Sequence, residues 1–259
     1  MSTFFDYQVL RAVRKMVLAV VATLCCFQNA ALGDDVTYGT KNDKPLKGFL
    51  ATPEAKGNRP AIILIHEWWG LNDDIRAKAE AFAKQGYVAL AVDLYGGKST
   101  TTSAEARKLA SAVRGDMDGA FANLKTAVAY LKQQTNVDGT RIASIGWCFG
   151  GGWSYQMARN NLGVKASVIY YGSFSPEDDL SKMRTEILGH FAENDRSIRV
   201  DQVNAFGAKL KTLEGHHEIY IYPNTTHGFA SRPDSNRNYA KDAAETAWKR
   251  TMAFLKKYL

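Results

Sequence analysis

The feature that most constrains this chain is a series of short, wholly apolar runs. Ala61-Ile62-Ile63-Leu64-Ile65 and Val88-Ala89-Leu90-Ala91-Val92 offer no polar residue to either side of a strand. That is the pattern of a strand covered on both faces. Ile142 to Ile145, Ser167 to Tyr171, Ile187 to Phe191 and Glu218 to Tyr222 continue the series. Between them, apolar residues recur at helical spacing: Ile75, Ala79 and Phe82; Phe121, Leu124, Val128 and Leu131; Val203, Phe206, Leu210 and Leu213. Ala240, Ala244, Ala247, Trp248, Thr251 and Leu255 mark a long C-terminal helix, and Gly86 stands where the first helix needs a cap. Buried strands alternating with amphipathic helices require an α/β architecture, a mostly parallel central sheet with helices on both faces. No Pro/Gly/Ser-rich linker interrupts the pattern, so the spacing predicts a single α/β domain over 34–259. In such sheets the ligand binds at the carboxyl ends of the strands, so the informative residues belong just after them.

Residues 1–33 stand outside this pattern. Arg11, Arg14 and Lys15 precede the apolar stretch from Val17 to Phe27, and Ala31-Leu32-Gly33 follows, ahead of Asp34-Asp35. This is the layout of a secretory signal peptide. It implies export, to a periplasm or to the outside, and no stable membrane insertion once cleaved. The stretch is short for a membrane span, and an uncleaved anchor is the alternative. Residues 1–15 are long for a basic leader region, so Met16 is a second candidate start. Cleavage after Gly33 removes Cys25 and Cys26 and leaves Cys148 as the one cysteine, which excludes an internal disulfide.

With 46% hydrophobic and 23% charged residues, the chain is neither disordered nor fibrous. The formal charge of +7 comes from scattered basic residues. There is no basic stripe and no reading motif, which argues against nucleic acid as a partner. A mildly basic field still draws small anions.

After the strand ending at Ile145 comes Gly146-Trp147-Cys148-Phe149-Gly150-Gly151-Gly152. Gly-x-Cys-x-Gly between a strand and a helix is a cysteine form of the nucleophile elbow. The sharp turn strains the central residue, and the flanking positions leave no room for side chains. Such a turn lifts the thiol over the N-terminus of the next helix, whose dipole favours a thiolate and an adjacent oxyanion. The backbone N–H of Phe149 is then one oxyanion donor. The alternative is an inert, buried cysteine in a glycine-rich turn. No phosphate-cradling Gly-Lys-Ser/Thr is present.

A nucleophile on this architecture is followed by an acid and then a histidine, each after a later strand. Asp195 in Glu193-Asn194-Asp195 and His227 in Thr226-His227-Gly228-Phe229 occupy those places. His227 would carry the thiol's proton, and Asp195 would orient the imidazole. Glu193 is the rival acid. His190 falls within an apolar strand and reads as structural, and His216 and His217 start a strand far from the expected loop. Adjacent strand residues face opposite ways, so His216-His217-Glu218 does not make a metal site, and no Cys-x-x-Cys or His-Glu-x-x-His occurs.

His66-Glu67-Trp68-Trp69-Gly70 follows the first buried strand. This loop should supply a second oxyanion N–H, from Trp68. Glu67 is either a surface ion-pair residue or a carboxylate that competes for the cysteine proton. Together with Val92-Asp93-Leu94-Tyr95, the elbow and His227-Gly228-Phe229, this loop resembles the dienelactone hydrolases of the α/β-hydrolase superfamily, from about Lys47 to the C-terminal helix. The resemblance implies an α/β-hydrolase fold, no cofactor, a Cys148–His227–Asp195 triad, and a Glu67 that accepts the thiol proton and moves aside when substrate binds. The two arginines that grip a substrate carboxylate in dienelactone-opening members align here with Gly97 and Ser231. Lys98 and Arg232 stand beside those positions and are the candidate substitutes.

The expected function is therefore hydrolysis of an ester or lactone, carboxymethylenebutenolidase-type, through an S-acyl intermediate on Cys148. The substrate is a small molecule and an anionic one is compatible. Tyr95, Trp68, Trp69, Trp147 and Phe229 are candidate pocket walls; for Trp147, as for Trp153, core packing is the equal alternative. Two other readings are a broad carboxylesterase or thioesterase, and a non-catalytic binding protein on the same fold. Nothing in the sequence bears on the oligomeric state.

Overall fold

The computed structural model describes residues 33–231 and 237–259. The leader therefore lies outside the described residues apart from Gly33. The chain order is β1 (Asp34–Lys41), β2 (Lys44–Ala51), β3 (Arg59–Ile65), α1 (Asp73–Lys84), β4 (Val88–Val92), α2 (Ser103–Gly115) and α3 (Met117–Gln133). Then come β5 (Val137–Trp147), α4 (Phe149–Arg159), β6 (Ala166–Tyr170), β7 (Glu186–Ala192), α5 (Val200–Leu210), β8 (His217–Tyr222) and α6 (Lys241–Tyr258).

Eight strands form one sheet in the order β1-β2-β4-β3-β5-β6-β7-β8. From β4 to β8 every pairing is parallel, while β2 runs antiparallel to both its neighbours. The connections explain this. β1 and β2 are joined through Asn42 and Asp43, whose φ values of 49° and 60° suit the tight turn of a hairpin. The parallel neighbours are linked by longer connections, mostly helical.

Alternate strand residues feed two cores. Ile62 and Leu64 face one layer with Phe82 of α1 and Ala247, Phe254 and Leu255 of α6. Ala61, Ile63 and Ile65 face the other with Leu124 and Leu131 of α3 and Met157 of α4. Each fully buried Ile or Leu contributes about 1.5–3 kcal/mol relative to exposure. A third cluster joins Tyr155, Phe191 and Phe206 under α5.

Register places the site. Ile65 pairs with Val92 and Gly146, Trp147 with Tyr170, Tyr170 with His190, and Ala192 with Tyr222. The carboxyl ends of β3 to β8 thus stop at one edge. The loops bearing Glu67, Tyr95, Cys148, Tyr171, Asp195 and His227 all leave from there.

The predicted strands and helices are all present. The β1–β2 hairpin and α2 were not foreseen, and β5 starts five residues before Ile142. The hairpin sits at the sheet edge, where most of its residues keep partial solvent contact, so it carries no continuous apolar run. Among the described residues, no helix is long and apolar enough to cross a membrane.

His190 is structural, as its strand position suggested. It is fully buried, 2.9 Å from the Tyr222 hydroxyl and 3.0 Å from Thr251 Oγ1, and so ties β7 to α6. Burial, helped by the nearby Arg250 charge, pushes its pKa down to about 3. The unfolded chain therefore binds a proton that the folded chain refuses, and stability falls as pH drops from about 6.5 toward 3. Urea midpoints measured across that range should fall steeply for the parent and less steeply for His190→Asn, which is less stable at pH 7 but has no proton to gain.

Candidate active site

Cys148 joins β5 to α4 with φ 54° and ψ −112°. An L-residue reaches that conformation only under strain. A Cβ at Gly146 would run into the Gly150 carbonyl, and one at Gly150 into the Ile65 carbonyl. The two glycines let strand, turn and neighbouring strand close up, and the Cys148 N–H donates to Tyr170 O at 3.0 Å. The side chain is partly exposed. It stands at the positive end of α4, where Phe149 is the first helical residue and its N–H has no acceptor within the helix.

His227 and Asp195 come from the loops after β8 and β7. His227 Nδ1 lies 2.6 Å from Asp195 Oδ2. The other Asp195 oxygen accepts from the N–H groups of Ser197 at 2.8 Å and Ile198 at 3.1 Å. Burial works to raise Asp195, but the bond from His227 and these two N–H groups hold it below the ordinary carboxylate value. Burial likewise works against the imidazolium of His227. The Asp195 carboxylate and the negative charge of the Cys148 sulfur outweigh it and push the imidazole up to about 10. With Nδ1–H given to Asp195, Nε2 is the nitrogen left to serve the thiol. Glu193, the rival acid, is exposed and accepts from the Asn224 N–H at 2.8 Å, so the carboxylate on His227 is that of Asp195.

Glu67 is not a surface ion-pair residue. Its Oε1 accepts from Ser231 Oγ at 2.6 Å and from the Tyr171 hydroxyl at 3.4 Å. Burial raises its pKa, opposed by the Ser231 bond and by Lys78. His66, at the end of β3, has its Nδ1 2.6 Å from the Glu67 carbonyl and accepts from the Leu94 N–H at Nε2, 3.2 Å. Burial keeps it neutral, so it braces the first loop. Tyr95 donates to the Trp68 carbonyl at 3.2 Å and lies close enough to Cys148 to feel its charge. Trp68 and Trp69 are half-buried, with ring centroids 4.8 Å apart.

Other expected site residues are placed differently. Phe229 does not wall a pocket: it is fully buried in the core, 5.4 Å from the Tyr171 ring and 4.8 Å from that of Tyr222. Its backbone follows His227 through Gly228, but its side chain turns into the sheet. Trp147 is buried and stacks on Tyr170 but also borders a cleft of about 370 Å³ with Lys78, Ser231 and Trp248, while Trp153 packs between Phe121 and Phe149. Lys98 is exposed at a cleft of about 430 Å³ shared with Arg76, Lys47 and Gly97, whose lining does not include Cys148. Arg232 lies outside the described residues. His217 is also structural, accepting from the Ile187 N–H at 3.2 Å. Among the described residues, no cluster of His, Cys, Asp and Glu could hold a metal.

The site also contains Tyr171, which sequence reasoning did not single out. It directly follows β6, as the other site residues follow their strands, and that position was the available signal.

The sheet order, the strained elbow and the acid–imidazole pair together define an α/β hydrolase. The family model described as "Dienelactone hydrolase family" matches residues 46–259, and the chain belongs to that family. It is similar to Protein usf of Aquifex pyrophilus, 31% identical over 226 residues that cover 85% of this chain and 96% of that protein. It is 26% identical to a carboxymethylenebutenolidase homolog of Xenopus tropicalis over 244 residues, 88% of this chain and 95% of that one. The solved structure of a dienelactone hydrolase-like promiscuous phosphotriesterase from metagenomic libraries superposes with a TM-score of 0.78 at 22% identity. It covers 87% of this chain and 98% of its own, a likeness of fold.

The electrostatics of the pair can be measured directly. An NMR titration should find the His227 ring still protonated above pH 8, because the raised value keeps the proton on. Asp195→Asn should lower that midpoint by more than one unit, since it removes a charge-assisted hydrogen bond. An unchanged midpoint would contradict this assignment.

Proposed function

We propose that this hydrolase cleaves an ester or lactone through a covalent acyl group on Cys148. As a dienelactone hydrolase-family protein it is a carboxymethylenebutenolidase-like ester and lactone hydrolase. The observation that supports Cys148 as its nucleophile is the convergence of a strained thiol, a helix N-terminus and an imidazole whose far nitrogen is held by Asp195.

The steps follow from that geometry. In the reactive ion pair the thiol's proton rests on His227 Nε2, in keeping with the imidazole's raised affinity for a proton, while Asp195 holds the ring's other nitrogen. The sulfur then attacks the acyl carbon, and the carbonyl electron pair moves to oxygen. The N–H groups of Trp68 and Phe149 hold that oxyanion, with the α4 dipole behind it. Its collapse re-forms the carbonyl and breaks the bond to the alkoxy oxygen, which leaves with the His227 proton. In a lactone this oxygen stays attached to the acyl group. Water then gives a proton to His227 and attacks the thioester, releasing the acid and restoring the thiol. Asp195 stays ionised and stabilises the imidazolium throughout. No step requires a cofactor.

Tyr95, near enough to Cys148 to feel its charge, and the half-buried Trp68–Trp69 pair of the first loop are the groups proposed to face the acyl part of the substrate. With residues 1–33 read as an export signal, the proposed place of action is outside the cytoplasm.

Kinetics on activated esters test the reading. Cys148→Ala should lower kcat/KM by at least about a hundredfold, and His227→Ala comparably, with the folded-state circular dichroism retained. A Cys148→Ala variant with parental turnover would overturn the nucleophile. A panel of lactones with and without a free carboxylate, set against simple esters and thioesters, then separates a lactonase from a broad carboxylesterase or thioesterase.

A further inference from the structure

Tyr171 is an outlier that the reaction scheme leaves unused. Its φ is 37°, a left-handed conformation for a bulky aromatic residue at the end of β6. Its N–H is held by the His190 carbonyl at 2.8 Å and its side chain is fully buried. Strain of this kind persists only where the surroundings enforce it, and it marks functional positions. The result is a ring set edge-on to His227, with centroids 5.2 Å apart, and a hydroxyl that reaches Ser231 and Glu67.

That hydroxyl is 3.2 Å from Ser231 Oγ and 3.4 Å from Glu67 Oε1, and Ser231 Oγ is 2.6 Å from the same Glu67 oxygen. The donor arithmetic is tight. The Ser231 proton is committed to Glu67, so the Tyr171 proton is shared between the serine oxygen and the carboxylate. Burial holds the phenol far above its ordinary value, so it remains a donor. Two aligned hydroxyls in a largely buried setting reinforce one another. Among the described residues, the other charged groups acting on Glu67 are Lys78 and Asp74 of α1, which pair with each other, and His227.

We propose that Tyr171 and Ser231 form a hydroxyl latch, a pair of positioning residues that hold the Glu67 carboxylate off the Cys148 sulfur so that His227 faces the thiol alone. This rests on the reading of Cys148 as nucleophile. The latch governs the thiol's proton. A latched carboxylate is fixed by Ser231 and Tyr171, close enough to His227 for the two opposite charges to favour one another. A released one approaches the sulfur and disfavours the thiolate by like charge. The latch is built from neutral donors on two different loops.

A double-mutant cycle tests it, read as the pH dependence of alkylation of Cys148 by iodoacetamide and followed by mass on the Cys148 peptide of the full chain. Ser231→Ala and Tyr171→Phe should each move the alkylation midpoint up by about one unit, as a freed negative charge beside a thiol would. Ser231→Thr, which keeps the hydroxyl, should retain the parental midpoint. In an E67Q background, Ser231→Ala should produce no further shift, because there is no carboxylate left to release. Equal shifts with and without the Glu67 carboxylate would overturn the latch, as would parental midpoints in both Ser231→Ala and Tyr171→Phe. If Cys148 proves dispensable for hydrolysis while the cycle behaves as expected, the functional reading fails and the latch stands.

Discussion

The site depends on close backbone packing around one strained residue. Cys148 holds a positive φ because β5, α4 and β3 approach so nearly that side chains at Gly146 and Gly150 would meet carbonyl oxygens. Strain of this kind costs of order 1–3 kcal/mol, which the parallel sheet and its two covered faces offset. The return is positional: the sulfur sits above a helix N-terminus, and its strand ends in register with those that supply the acid and the imidazole.

Electrostatics then divide the polar groups into those set up for chemistry and those set up to brace. His66 and His190 are buried and kept neutral; each ties neighbouring segments together by hydrogen bonds. His227 is also largely enclosed, yet it is pushed the other way, because a carboxylate and a thiol face its two nitrogens. The same residue type thus takes opposite charge preferences according to its partners. Asp195 can sustain this because two backbone N–H groups occupy its second oxygen.

Much of this was legible in the residues. Continuous apolar runs announced the parallel strands, and helical spacing announced the helices between them. Cys148, Asp195 and His227 were singled out by their place after successive strands, and the structure sets Asp195, rather than the exposed Glu193, against His227. What escaped was set by tertiary packing. Phe229 looked like a pocket wall because it follows His227, but one turn of backbone at Gly228 sends its ring into the core. The β1–β2 hairpin lies at a half-solvated edge without a buried face on both sides, so its pattern is weak. The Tyr171–Ser231–Glu67 contacts join residues from three separate loops, a relation that no local pattern expresses.

A covalent acyl group on Cys148 can be trapped. The full chain is mixed briefly with an activated ester, quenched in acid, and the acyl mass located by peptide mass spectrometry. The account predicts one added acyl group on Cys148, labile to hydroxylamine as a thioester is, and accumulating when His227 is replaced by a residue that cannot activate water. Turnover with an unmodified Cys148, or an acyl group found on another residue, would contradict it.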